Sequence, residues 1–132
     1  MSQTKWTVNE DGTFVLIARV INTAGTLVTQ ATVSTIGVEV SRRATDGTLD
    51  TVTLSTTAVV STTIYDTAQT SAVLWPATDH PDGYNLLYKV PNTAVPTGGS
   101  YYDAHLRLTM SNGDVIPVAF DGIYVARRLG DD

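Results

Sequence analysis

The sequence predicts an all-β protein folded as a single antiparallel β-sandwich of about seven strands. Three observations carry that prediction. Only 16% of the 132 residues are charged, below the ~25% usual for globular domains, and Thr, Ser, Ala and Val make up the difference. Thr and Val are β-branched and suit a pleated surface better than a helix. Short runs of alternating apolar and polar residues are separated by turn signals every ~8–12 residues, and no segment shows a helical period worth defending.

The first segment, "MSQTKWTVNEDG" (1–12), is a polar N-terminal arm containing an isolated Trp6. That tryptophan either folds back as a plug or docks on a neighbouring protein. "TFVLIARVI" (13–21) follows an Asp-Gly turn and reads as a strand. Phe14, Leu16, Ala18 and Val20 form one face; Val15, Ile17 and Ile21 form the other, interrupted by Arg19. A strand that is apolar on both faces needs cover on both. It is either a central strand covered by loops or a strand whose second face, Val15, Ile17 and Arg19, meets another protein.

"NTAG" (22–25) is a turn, and the weakly patterned "TLVTQATVSTI" follows. In "IGVEVSRR" (36–43) the pattern places Ile36, Val38 and Val40 inside and Glu39 and Ser41 outside. "ATDGT" (44–48) contains the Asp-Gly hairpin signal. Residues 49–65 give one long strand or two short ones, with a hydroxyl-bearing outer face. Residues 66–83, "DTAQTSAVLWPATDHPDG", read as the longest irregular segment, and long loops in compact domains are often functional. Its candidate surface is Trp75, His80 and Asp82 with Tyr84 just beyond. Tyr65, Trp75, Tyr84 and Tyr88 are the material for an aromatic cluster that packs under the loop or faces a ligand. "GYNLLYKV" (83–90) is again a strand, and the Pro- and Gly-rich 91–99 is a crossover loop.

The last hairpin is the most legible element. In "YYDAHLRLTM" Tyr102, Ala104, Leu106, Leu108 and Met110 share a face, and Tyr101, Asp103, His105, Arg107 and Thr109 share the other. In the second arm Ile116, Val118 and Phe120 must point to the same core. A two-residue Asn112-Gly113 turn would send them outward. A three-residue loop, Ser111-Asn112-Gly113, pairs Leu108 with Ile116, Leu106 with Val118 and Ala104 with Phe120, with Gly113 in the left-handed conformation. The parity then breaks at Asp121-Gly122, which predicts a second bulge. Pro117 cannot donate to a ladder, which predicts an edge strand or one blunted against edge pairing.

The chemistry-bearing motifs are few. There is no Cys, which excludes disulfides, thiolate metal sites and Cys nucleophiles. No phosphate loop, nucleophile elbow or zinc motif occurs, so no cofactor or metal is expected and the chain reads as non-enzymatic. His105, two residues from both Asp103 and Arg107, reads as part of a solvated surface row. Asp66, Asp79 and Asp82 lack the spacing of a calcium loop. The net charge of −5 argues against unassisted nucleic-acid binding. No apolar leader or stretch of ~20 apolar residues is visible, so a cytosolic protein, or one assembled there into something larger, is expected.

The block "GYNLLYKVPNTAVPTGGSYYDAHLRLTMSNGDVIPVAFDGIYV" has a recognisable order. A strand ends in Val-Pro, a loop leads to Gly-Gly and a Tyr-rich strand, and a Ser-Asn-Gly-Asp hairpin is followed by a strand closing in Tyr-Val. It resembles the Ig-like β-sandwich modules of tailed-bacteriophage virion proteins, such as the N-terminal domain of baseplate upper proteins. The resemblance covers about the last third of the chain. It implies an Ig-like sandwich over 13–128, with 1–12 as an arm and 129–132 as an acidic tail. It implies a structural module of a virion, as a tail, baseplate or neck component or a capsid decoration. Such a module binds other virion proteins in multiple symmetric copies, with no nucleic acid and no membrane, and is assembled in the host cytoplasm. The competing expectation is a carbohydrate- or receptor-binding module that uses the 66–83 loop.

Overall fold

The computed structural model describes residues 8–9, 12–43, 49–70, 82–96 and 98–126. In chain order the strands are β1 (Val8–Asn9), β2 (Phe14–Ala18), β3 (Val33–Arg43), β4 (Leu49–Ala58), β5 (Ile64–Gln69), β6 (Tyr84–Val90), β7 (Ser100–Met110) and β8 (Val115–Ala126). They form two sheets, β8-β7-β3-β4 and β2-β6-β5, and β1 is added parallel to β8 at Val125 and Ala126. The all-β sandwich of seven main antiparallel strands is therefore the fold. The strand order matches an immunoglobulin sandwich, with β2, β6 and β5 in the places of B, E and D and β8, β7, β3 and β4 in those of G, F, C and C′. Tyr102, fully buried, stands two residues before the core-facing Ala104, where immunoglobulin domains place the tyrosine of their E–F corner.

One core lies between the sheets. Phe14, Leu16, Ala18 and Val20 meet Ile36, Val38 and Val40, the even residues of β7, and Val118 and Phe120. These are the inward sets that period-2 alternation assigns.

The last hairpin has the register set out from parity: Leu108 pairs with Ile116, Leu106 with Val118 and Ala104 with Phe120. The Met110 N–H donates to Asp114 O at 2.7 Å and the Gly113 N–H to Met110 O at 3.0 Å, closing a three-residue loop. Gly113 has φ +96° and Gly122, in the bulge opposite Asp103, φ +71°. Gly113→Ala is expected to lower stability by about 1–2 kcal/mol through left-handed strain alone, since a Cβ there meets no atom within 4 Å. Urea unfolding with an unchanged slope checks this. The Met110–Asp114 bond also fixes which backbone groups face where. Even residues of β7 bond β8, and residues 115, 117 and 119 turn their N–H positions to the open edge. Pro117 thus removes a donor from the free edge and none from the ladder.

Five expectations are corrected. β2 is an edge strand of the three-stranded sheet, not a central one. Residues 59–65 contain a single helical turn, α1 (Val60–Thr63), between β4 and β5. β5 runs to Gln69, so the segment from residue 66 begins as strand. Val8–Asn9, inside the expected arm, joins the larger sheet. Ser41, expected outside, is buried: it keeps the outward register opposite the equally buried Asp103, beside the point where β3 and β4 slip register. The Asp-Gly signal of 44–48, and the 129–132 tail, lie outside the described residues; the flanking β3 and β4 do pair antiparallel.

Candidate functional site

Of the sequence-predicted site residues, Trp6, Trp75 and His80 lie outside the described residues. The others come together, and in an unforeseen way. Ile17 is 1% exposed and packs with Tyr84, against Val15, Tyr65 and Leu87, on the outer side of the three-stranded sheet. Tyr65 and Tyr84 meet edge to face, with centroids 5.9 Å apart. Tyr88 packs against the main core instead. Burial, with a smaller contribution from Tyr65, raises the Tyr84 hydroxyl above the usual tyrosine value. The Arg19 guanidinium donates from Nη1 to Asp82 O at 2.7 Å.

The two surfaces expected from sequence, Val15-Ile17-Arg19 and Asp82-Tyr84, are thus largely spent on each other. Ile17 is not available to a partner, and Tyr84, 5% exposed, cannot stack on a sugar. The second face of β2 is covered from inside the chain.

The open surface is the outer face of β8-β7-β3-β4. Its rows follow from register: Thr57, Gly37, Arg107 and Pro117 in one, and Ser55, Glu39, His105 and Ala119 in the next. A shallow depression of about 670 Å³ lies across these rows. Gly37 explains it. The residue sits mid-strand in β3 with regular pairing on both sides, and an added Cβ would meet nothing within 4 Å. Glycine within a strand costs stability and commonly marks a bulge or a close approach from outside. There is no bulge at Gly37, so nothing among the described residues requires the missing side chain.

Apolar groups flank the depression on the same face. Tyr101 (50% exposed) and Tyr124 (40%) pair across β7 and β8, with ring centroids 5.2 Å apart. Val115 and Val52 are also exposed. Comparison with protein families, with curated proteins and with solved structures finds no match to this chain. The reading of this face therefore rests on its own geometry.

The polar residues of the face divide by burial. His105 Nε2–H donates to Asp121 Oδ1 at 3.1 Å, and both side chains are more than half exposed. Its partner is Asp121, across the strand pair, rather than Asp103. Asp103 belongs to the same outward row but is 6% exposed. Its carboxylate binds the Arg43 guanidinium and accepts the Gly122 N–H at 2.9 Å. It holds the bulge. Among the described residues no group of three His, Asp or Glu side chains is placed to hold a metal.

The sequence pattern missed Gly37. The signal was present: a glycine at an outward position of an otherwise clean alternation, with no turn or bulge to claim it.

Proposed function

We propose that the chain is a non-enzymatic structural module of a bacteriophage virion, as a tail, baseplate or neck component or a capsid decoration. It docks neighbouring virion proteins on the outer face of its four-stranded sheet. The observation that carries the docking role is Gly37, whose side-chain space lies empty at the floor of the depression. The exposed Tyr101–Tyr124 pair, on the same face two rows beyond His105, supplies rigid aromatic area of the kind that dominates interface energetics. The virion assignment is supported by the resemblance of residues 83–125 to phage Ig-like modules. The His105–Asp121 pair is solvated on both sides and serves here as part of the polar rim of the face.

Gly37→Val separates docking from folding. A β-branched residue in an unobstructed strand position is expected to leave stability unchanged or raise it by about 0.5–1 kcal/mol. It raises the floor of the depression under any docked partner, so incorporation of the variant into particles, in competition with wild type, is expected to fall on the order of tenfold. Full incorporation of a normally stable Gly37→Val protein would contradict this use of the face. A broad glycan panel tests the competing receptor reading: binding that is lost in Tyr124→Ala would favour a carbohydrate on the same face.

A further inference from the structure

The four-stranded sheet has two edges, and the chain treats them differently. The β8 edge is blunted by Pro117, bent by the bulge at Asp121-Gly122 and capped beyond it by β1. Among the described residues the β4 edge has none of these devices between Leu54 and Ala58. That stretch, Leu-Ser-Thr-Thr-Ala, has no charge and no proline, and it pairs with β3 in unbroken register from Ile36–Ala58 to Val40–Leu54.

The direction of its backbone groups follows from the ladder. Odd residues of β7 bond β3, so even residues of β3 bond β4, and Val40 O accordingly faces Thr53 on β4. Leu54, Thr56 and Ala58 therefore satisfy β3, and the N–H and C=O groups of Ser55 and Thr57 point away from the sheet. The chain itself closes both ends of this window. Thr53 sits in the register slip, with its hydroxyl 2.5 Å from Ala94 O. At the other end Val59 O is taken by the N–H groups of Thr62 and Thr63.

We propose that this edge pairs with the same edge of a second copy. An antiparallel pair related by a twofold axis at Thr56 sets Ser55 against Thr57 of the second copy, and each exchanges both backbone hydrogen bonds with the other. The window is self-complementary. Its side chains are small hydroxyls, which favour cross-strand Thr–Thr and Thr–Ser pairs. It lacks the charge that recognition of a foreign strand would use, and the strand adds nothing to the repulsion between two chains of net charge −5. The result is a sheet continuous across two molecules. The inference concerns the purified protein alone, so it holds or fails independently of virion membership.

The test uses the absence of native cysteine. In the proposed pair Thr56 faces its own copy in a non-hydrogen-bonded position, with Cα atoms ~4.5 Å apart, inside the range a disulfide spans. Thr56→Cys under mild oxidation is expected to form a covalent dimer on the order of tenfold faster than the exposed control Thr23→Cys. Adding Ser55→Pro, which removes an outward donor but no β3 ladder bond, is expected to return the rate to the control. The Thr57→Pro background repeats the test, and far-UV circular dichroism selects whichever proline variant is folded. Equal rates for Thr56→Cys and Thr23→Cys overturn the proposal. So does rapid cross-linking that survives the proline, or a wild type that stays monomeric by sedimentation equilibrium up to about 1 mM.

Discussion

Replacing Asn85 by leucine is expected to destabilise the protein by about 3–4 kcal/mol. Asn85 is fully buried in β6. Its Oδ1 accepts the Val20 N–H at 2.7 Å, and its Nδ2 donates to Val20 O at 3.0 Å and Val28 O at 2.8 Å. One side chain therefore closes the connection that carries the chain from β2 toward β3. Leucine has similar volume but leaves the Val20 N–H without this acceptor and Val28 O without this donor. Each such loss in a buried site costs ~1–3 kcal/mol. Val20 O keeps the Val28 N–H at 3.1 Å, which limits the total. Asn85→Asp is expected to do no better at neutral pH, since it sets a carboxylate against two carbonyl oxygens. Urea unfolding of both variants checks this; a loss under 1 kcal/mol in each would show that the amide is replaceable.

Asp103→Ala is expected to cost about 2–3 kcal/mol. The carboxylate is nearly inaccessible and serves two partners, the Arg43 guanidinium and the Gly122 N–H in the bulge. The Arg43 side chain is 33% exposed, so water softens the loss on that side. Gly122 is itself exposed, so water also reaches the bulge amide and softens that loss. Asp103→Asn keeps an acceptor for Gly122 and is expected to recover part of the loss. If alanine and asparagine are equally harmful, the Arg43 contact carries the effect and the bulge bond does not.

The hairpin of β7 and β8 was legible because its alternation is strict and its parity errors are informative. One register alone keeps Ile116, Val118 and Phe120 on the core side, and it forces both the three-residue loop and the bulge. The inward sets of β2 and β3 were legible for the same reason, while the burial of Ser41 on the outward row was not. The helical turn at Val60–Thr63 was not, because one turn has no period to detect. Nor was the edge position of β2: its second face is covered by Tyr65, Tyr84 and Leu87 from strands far along the chain, and no local pattern encodes that cover. Asn85 and Asp103 show the converse limit. A polar residue in a strand normally marks an outward face. These two are buried because backbone groups elsewhere need partners, and that need appears only once the chain is folded. The face proposed for docking was hidden most thoroughly, since the feature that singles it out is a side chain that glycine does not have.

Quantitative mass spectrometry of particles purified from the source tests whether this sandwich is a docking module of a virion. The chain is predicted to be present in fixed copy number relative to the major structural protein, with cross-links to neighbouring proteins concentrated on the Tyr101, Tyr124 and Arg107 face. Its absence from purified particles, or a trace amount that varies between preparations, would contradict the claim.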